Sequence, residues 1–105
     1  MFFGPRVHHI NTDELLRELE SGSPILIDVR EPDEFAAGHV PGAINRPVAS
    51  LLTAVAGLDR DADILVVCQS GHRSVAASKQ LLKTGFTNVR NIKGGTVAWR
   101  GALER

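Results

Sequence analysis

The chain has 105 residues, 43% apolar and 23% charged, which is ordinary for a globular protein and fits a single domain spanning residues 1–105. Formal net charge is zero and no run of Lys or Arg occurs, so the basic footprint of nucleic-acid binding is missing, and the dispersed acidic residues make no solvating tail. One cysteine excludes an intramolecular disulfide and fits a reducing compartment. Met1 to Arg6 lacks the apolar run of a signal peptide, and no stretch approaches the roughly 18 residues of a membrane span, so the chain reads as cytoplasmic with no membrane partner.

Taken in order, short β-branched runs alternate with helical periods, the pattern of an α/β domain on a mostly parallel sheet. His8 and His9 alternate on a first strand. Asn11 is placed to cap a helix, with Glu14 reaching back as in a capping box and Ile10 stapled to Leu15. Leu15, Leu16 and Leu19 form its expected buried stripe, and Ser21-Gly22-Ser23-Pro24 stops it. Ile25 to Val29 is an apolar strand suited to a sheet covered on both faces.

Pro32 opens a short helix through Phe35 that ends near Gly38. Pro41-Gly42 turns the chain into an extended piece from Ala43 to Arg46, and a brief helix spans Leu51 to Val55. Ile64 to Val67 is the clearest strand, with Cys68 at its carboxyl end. A helix is expected from Ser74 to about Thr84, stopped by Gly85, its packing face made by Val75, Ser78 and Leu82 beside Ala77 and Leu81. Val89 to Ile92 is a last strand, followed by Gly94-Gly95 and a helical turn carrying Trp99.

Cys68 stands where open parallel sheets bind ligands, outside the carboxyl ends of the strands. A cysteine after four apolar residues could be an inert core residue. Against that, Gln69, Ser70 and Arg73 are poor core neighbours, and Gly71 can take the positive φ of a tight loop. Such a loop turns successive N–H groups toward its centre, the following helix adds the partial positive charge of its N-terminus, and Arg73 adds a full one. Each favours a thiolate over a thiol. The reading requires the amides between residues 69 and 73 to converge on the sulfur.

Cys68-Gln69-Ser70-Gly71-His72-Arg73-Ser74 resembles the active-site loop of the rhodanese family, Cys-x4-Arg between a strand and a helix. Asp28-Val29-Arg30 through Glu34-Phe35, Gly38-His39-Val40-Pro41-Gly42-Ala43 and Asn45 is similar to that family's first signature, and Asn91-Ile92-Lys93-Gly94-Gly95 with Ala98-Trp99 to its closing one. The resemblance implies a central five-stranded parallel sheet with helices on both faces. It also implies a sulfurtransferase that takes sulfane sulfur from thiosulfate or a related donor as a cysteine persulfide and passes it to cyanide or a thiol. Cys68 matches the family's nucleophile, and Gln69, Ser70, Gly71, His72 and Arg73 match the loop that holds persulfide and donor. No cofactor is implied, and the oligomeric state is left open.

Two other readings use the same residues: a non-catalytic binding or regulatory module, disfavoured because Cys68 and Arg73 are both kept, and an arsenate reductase or phosphatase. The latter enzymes carry Cys-x5-Arg, one residue longer, a wider cradle for a tetrahedral oxyanion. Many thiosulfate-using members have Arg directly after the cysteine, where this chain has the uncharged Gln69; His72 could compensate when protonated.

Asp28 and Arg30 are expected to hold a turn rather than to exchange protons, and His39 to tie down the Gly-His-Val-Pro-Gly loop. His8 and His9 have no Cys or His at ligand spacing, so no metal site is expected. Ser74 is expected to cap its helix, the alternative being a hydroxyl offered to the sulfur. Trp99 is expected to dock the C-terminal turn.

Overall fold

The computed structural model describes residues 4–105. Five strands form one all-parallel sheet: β1 (His8–Ile10), β2 (Ile25–Asp28), β3 (Ile44–Asn45), β4 (Ile64–Val67) and β5 (Val89–Ile92). Their spatial order is β1-β5-β4-β2-β3, so β4 is central and its carboxyl end opens at the middle of one sheet edge. The register pairs Leu26 with Leu65 and Ile27 with Val66 across β2 and β4, and Val66 with Asn91 across β4 and β5.

All four residues of β4 are buried, as a strand covered on both faces requires. Alternate residues serve opposite cores. Ile27, Ile64, Val66 and Val89 pack with Leu51, Val55, Ala77, Leu81 and Phe86 on one face. Leu26, Leu65, Val67 and Ile92 pack with Ile10, Leu15 and Val40 on the other. The helices responsible are α1 (Thr12–Ser21) on the second face and α3 (Leu51–Ala54) with α4 (His72–Lys83) on the first. A short α2 (Pro32–Ala37) and a terminal α5 (Gly95–Ala98) flank the carboxyl ends of β2 and β5. No helix among the described residues is long and apolar enough to cross a membrane.

The expected capping box on α1 is present: the Glu14 amide donates to Asn11 Oδ1 at 2.8 Å, and the Asn11 amide to Glu14 Oε1 at 3.1 Å. Leu15 is fully buried and Leu19 packs beside it, but Leu16 is 46% exposed and does not belong to the stripe. One step from Leu15 turns the helix by about 100°, which carries Leu16 off the face that meets the sheet.

Helix α4 starts at His72, two residues before its expected beginning, with Gly71 as N-cap at φ +101°. Its buried face is Ser74, Ala77, Ser78 and Leu81, so Val75 lies at the margin and Ser74 inside. Ser74 is the third helical residue rather than the cap. The Arg30 guanidinium straddles the Asp28 carboxylate and donates to the Gly38 carbonyl at 2.8 Å, and both residues are buried, so the pair holds the turn after β2 as expected. His39 likewise ties its loop, through Phe35 O at 2.9 Å and a stacked Phe35 ring. Trp99 follows α5 and docks the C-terminal turn by donating from Nε1 to Ala102 O.

The two neighbouring leucines make a direct check on α1. Leu15→Ala is expected to cost about 2–5 kcal/mol of stability, as buried leucines do. Leu16→Ala should cost about 0.5 kcal/mol or less, as exposed positions do; urea unfolding of the two variants separates them.

Candidate functional site

The site forms where β4 ends and the chain must reverse its polar groups. Cys68 is 1% exposed, its sulfur at the floor of the loop that leads into α4. Toward the core it packs with the aliphatic cluster of α3 and α4. Toward the loop, the Gly71 amide donates to Sγ at 3.2 Å and the Ser74 amide at 3.3 Å. Ser74 Oγ also lies 3.3 Å from Sγ, and against a thiolate this hydroxyl donates.

Burial alone pushes the thiol pKa up. The Ser74 hydroxyl and the amides of Ser74, Gly71 and Ser70 outweigh it, and the net shift is downward from the ordinary thiol value. Of residues 69–73, whose amides were expected to converge on the sulfur, Gly71 donates directly. The second direct amide is that of Ser74, one residue further on. The amides of His72 and Arg73, first and second in α4, have no partner among the described residues, as helix starts leave them.

The carbonyls of the same segment point the other way. Thr96 N–H and Thr96 Oγ1 donate to Cys68 O at 2.9 and 3.2 Å, and Val97 N–H donates to Gln69 O at 3.1 Å. This contact requires the backbone of α5 to touch that of the loop. A Cβ on Gly95, at φ +64°, would stand 2.5 Å from both the Cys68 and Gln69 oxygens. The Gly94-Gly95 pair of the closing motif is therefore the wall against which the cysteine loop is pressed.

The side chains expected around Cys68 are placed unequally. Gln69, Ser70, His72 and Arg73 are exposed at the rim. Gln69 Oε1 accepts from Arg30 Nη1 at 3.3 Å. Ser70 Oγ lies 3.2 Å from His72 Nδ1. Arg73 is not directed at the sulfur: its guanidinium forks onto Glu34 at 2.7 and 3.0 Å. The Arg73 hydrogen bond holds the Glu34 carboxyl down at about 2, so the pair is fully ionised at neutral pH. Ser74, outside the expected loop residues 69–73 and read first as a cap, is the side chain that reaches the sulfur; its i, i+3, i+4 spacing with Ala77 and Ser78 was the signal available in the sequence.

Two grooves flank the loop. One of about 290 Å³ lies on the β1–β5 side and includes Gly71, His72 and Lys93. The other, about 630 Å³, lies on the α2–α5 side and includes Gln69, Arg30, Glu34, Val97 and Trp99.

Gly95→Ala places a methyl against two carbonyl oxygens, so the loop or α5 has to shift. The expected outcome is a protein that remains folded by circular dichroism but whose Cys68 alkylation rate at neutral pH falls severalfold, because the amides no longer meet the sulfur.

Comparison with known proteins identifies the family. A family model described as Rhodanese-like domain matches residues 11–102. A sulfurtransferase of Allochromatium vinosum is 32% identical over 94 residues, covering 89% of this chain and 88% of that protein. Among solved structures, a rhodanese-like domain protein from Staphylococcus aureus superimposes with a TM-score of 0.83 at 31% identity, covering 93% of this chain and 97% of that one. The structure of reduced Bacillus anthracis CoADR-RHD is 37% identical with a TM-score of 0.76, over 85% of this chain but only 16% of that much longer one. From the Asp28–Arg30 turn through the cysteine loop to the double glycine that supports it, the chain belongs to the rhodanese-like domain family.

Proposed function

We propose that the protein is a sulfurtransferase that carries a sulfane sulfur on Cys68 as a persulfide, taking it from thiosulfate or a related donor and passing it to cyanide or a thiol. The observation that carries this reading is the set of three donors, two amides and one hydroxyl, aimed at a single sulfur. They lower the free energy of the thiolate, which is the nucleophile. The family's sulfurtransferase relative supports the same reaction class.

The steps balance without a cofactor. The Cys68 thiolate attacks the outer sulfur of thiosulfate; a new S–S bond forms as the donor's S–S bond breaks, and sulfite leaves with the electron pair. The acceptor, cyanide or a thiolate, then attacks the outer sulfur of the persulfide and releases the Cys68 thiolate. Gln69, Ser70, Gly71, His72 and Arg73 form the rim through which donor and acceptor reach the sulfur, and the His72 and Arg73 amides, without a partner among the described residues, are left to serve the outer sulfur. Arg73 contributes chiefly by holding Glu34 and so neutralising a carboxylate at the rim. A lone, reactive cysteine of this kind suits a reducing compartment, and the cytoplasm is the proposed place of action.

Thiosulfate incubated with the protein should add the mass of one sulfur atom, removed again by dithiothreitol, and Cys68→Ser should neither gain the adduct nor form thiocyanate. Absence of any adduct with every sulfane donor sinks the enzyme reading and leaves the binding module; hydrolysis of p-nitrophenyl phosphate would favour the phosphatase.

The iodoacetamide rate against pH reads the thiolate fraction directly. In the wild type its midpoint should fall below the ordinary thiol range, in line with the downward shift at Cys68. Ser74→Ala removes one donor to the anion, so its midpoint should move to higher pH.

A further inference from the structure

The two grooves beside the cysteine loop differ in electrostatics. The two charged residues that line the α2–α5 groove are both matched: Arg30 lies on Asp28 at 2.9 Å, and Glu34 holds Arg73 at 2.7 Å. That groove offers an incoming anion no uncompensated charge. On the β1–β5 side the lining contains Lys93, His72 and His9 and no carboxylate. Among the described residues Lys93 makes no salt bridge. The first turn of α4, which ends this groove, holds no acidic residue, and its free amides add the positive end of a twelve-residue helix.

Further donors are built into the same groove. Ser70 Oγ faces His72 Nδ1 at 3.2 Å, and when this hydroxyl donates, His72 keeps its hydrogen on Nε2, free for a ligand. Asn91 is 1% exposed, and its Oδ1 is buried without a hydrogen-bond partner, while Nδ2 meets His9 Nδ1 at 3.0 Å. A half-turn of that amide gives Oδ1 to the Nδ1–H tautomer of His9 and turns the Nδ2 hydrogens to the unpartnered position instead. Gly71, whose amide holds the sulfur, lines this groove as well, which joins it to the reacting atom.

We propose that the oxyanion end of the sulfur donor is held in this basic groove by Lys93 and His72 at the N-terminus of α4, on the β1–β5 side of Cys68. The inference rests on the sulfurtransferase reading and names how a doubly charged donor is bound where Gln69 brings no charge. The volume of about 290 Å³ lies near the lower limit of small-molecule sites, which suits a compact oxyanion such as thiosulfate. Lys93 and His72 act on binding of the donor and not on release of sulfur to the acceptor.

The test measures the two half-reactions separately, together with thiosulfate binding to Cys68→Ser, which cannot turn over. Lys93→Ala should lower kcat/KM for thiosulfate by about fivefold, the yield of one exposed charge pair, and weaken thiosulfate binding to Cys68→Ser by a similar factor. Lys93→Glu should lower both further, and Lys93→Arg should restore them. The kcat/KM for cyanide should change far less than that for thiosulfate. The proposal is overturned if thiosulfate binds Cys68→Ser equally well with and without Lys93, or if the donor and acceptor constants fall in parallel. A wild type that binds thiosulfate through Lys93 yet forms no persulfide would instead overturn the sulfurtransferase reading and leave the anion site standing.

Discussion

The opposed directions of amide and carbonyl groups after β4 are the constraint on which the site depends. Between Cys68 and Ser74 the amides of Gly71 and Ser74 face the sulfur, while the carbonyls of Cys68 and Gln69 face α5. A backbone cannot present only its donors to one point unless its acceptors are satisfied elsewhere. Thr96 and Val97 supply that second requirement, and Gly95 lets them approach closely enough to do so. An anion at Sγ therefore sees N–H dipoles without the carbonyls that would oppose them. The loop behaves as a nest because of what lies behind it.

Fixed dipoles rather than a nearby formal charge do most of this. Arg73, the loop's one arginine, is spent on Glu34, and Arg30 on Asp28. Both pairs serve geometry. The Arg30 guanidinium joins the end of β2, the carbonyl of Gly38 after α2 and the side chain of Gln69, so three segments of the rim share one planar group. Its fork suits such a junction better than a lysine's point charge would. Asn45 extends the junction by donating to the carbonyls of Asp28 and Arg30. The result is a sulfur set in a stiff frame, flanked by one groove with balanced charge and one with excess positive charge.

Burial of Cys68 and the reactivity proposed for it are compatible for the same reason. At 1% exposure an isolated thiol would resist ionisation, since removal from water disfavours the charged form. Here three donors replace that water at distances of 3.2–3.3 Å. The aliphatic neighbours on the core side keep the sulfur in place.

Much of this was legible in the sequence because it depends on near neighbours. The Asn11–Glu14 capping box, the four-residue apolar run ending at Cys68 and the tight turn at Gly71 are matters of local periodicity, capping and backbone freedom. So is the place of the cysteine at a strand end, which exposes the loop to ligands. The tertiary structure decided the rest. Leu16 has the same chemistry as Leu15, and only the docking of α1 on the sheet separates an exposed leucine from a buried one. Arg73 finds Glu34 across 39 positions, and Cys68 O finds Thr96 across 28, so neither partnership leaves a trace in spacing. Ser74 could be cap or ligand until the start of α4 at His72 placed it third in the helix, facing the sulfur. Local pattern determines which elements form, because it governs backbone conformation; which atoms meet at the sulfur depends on how distant elements pack.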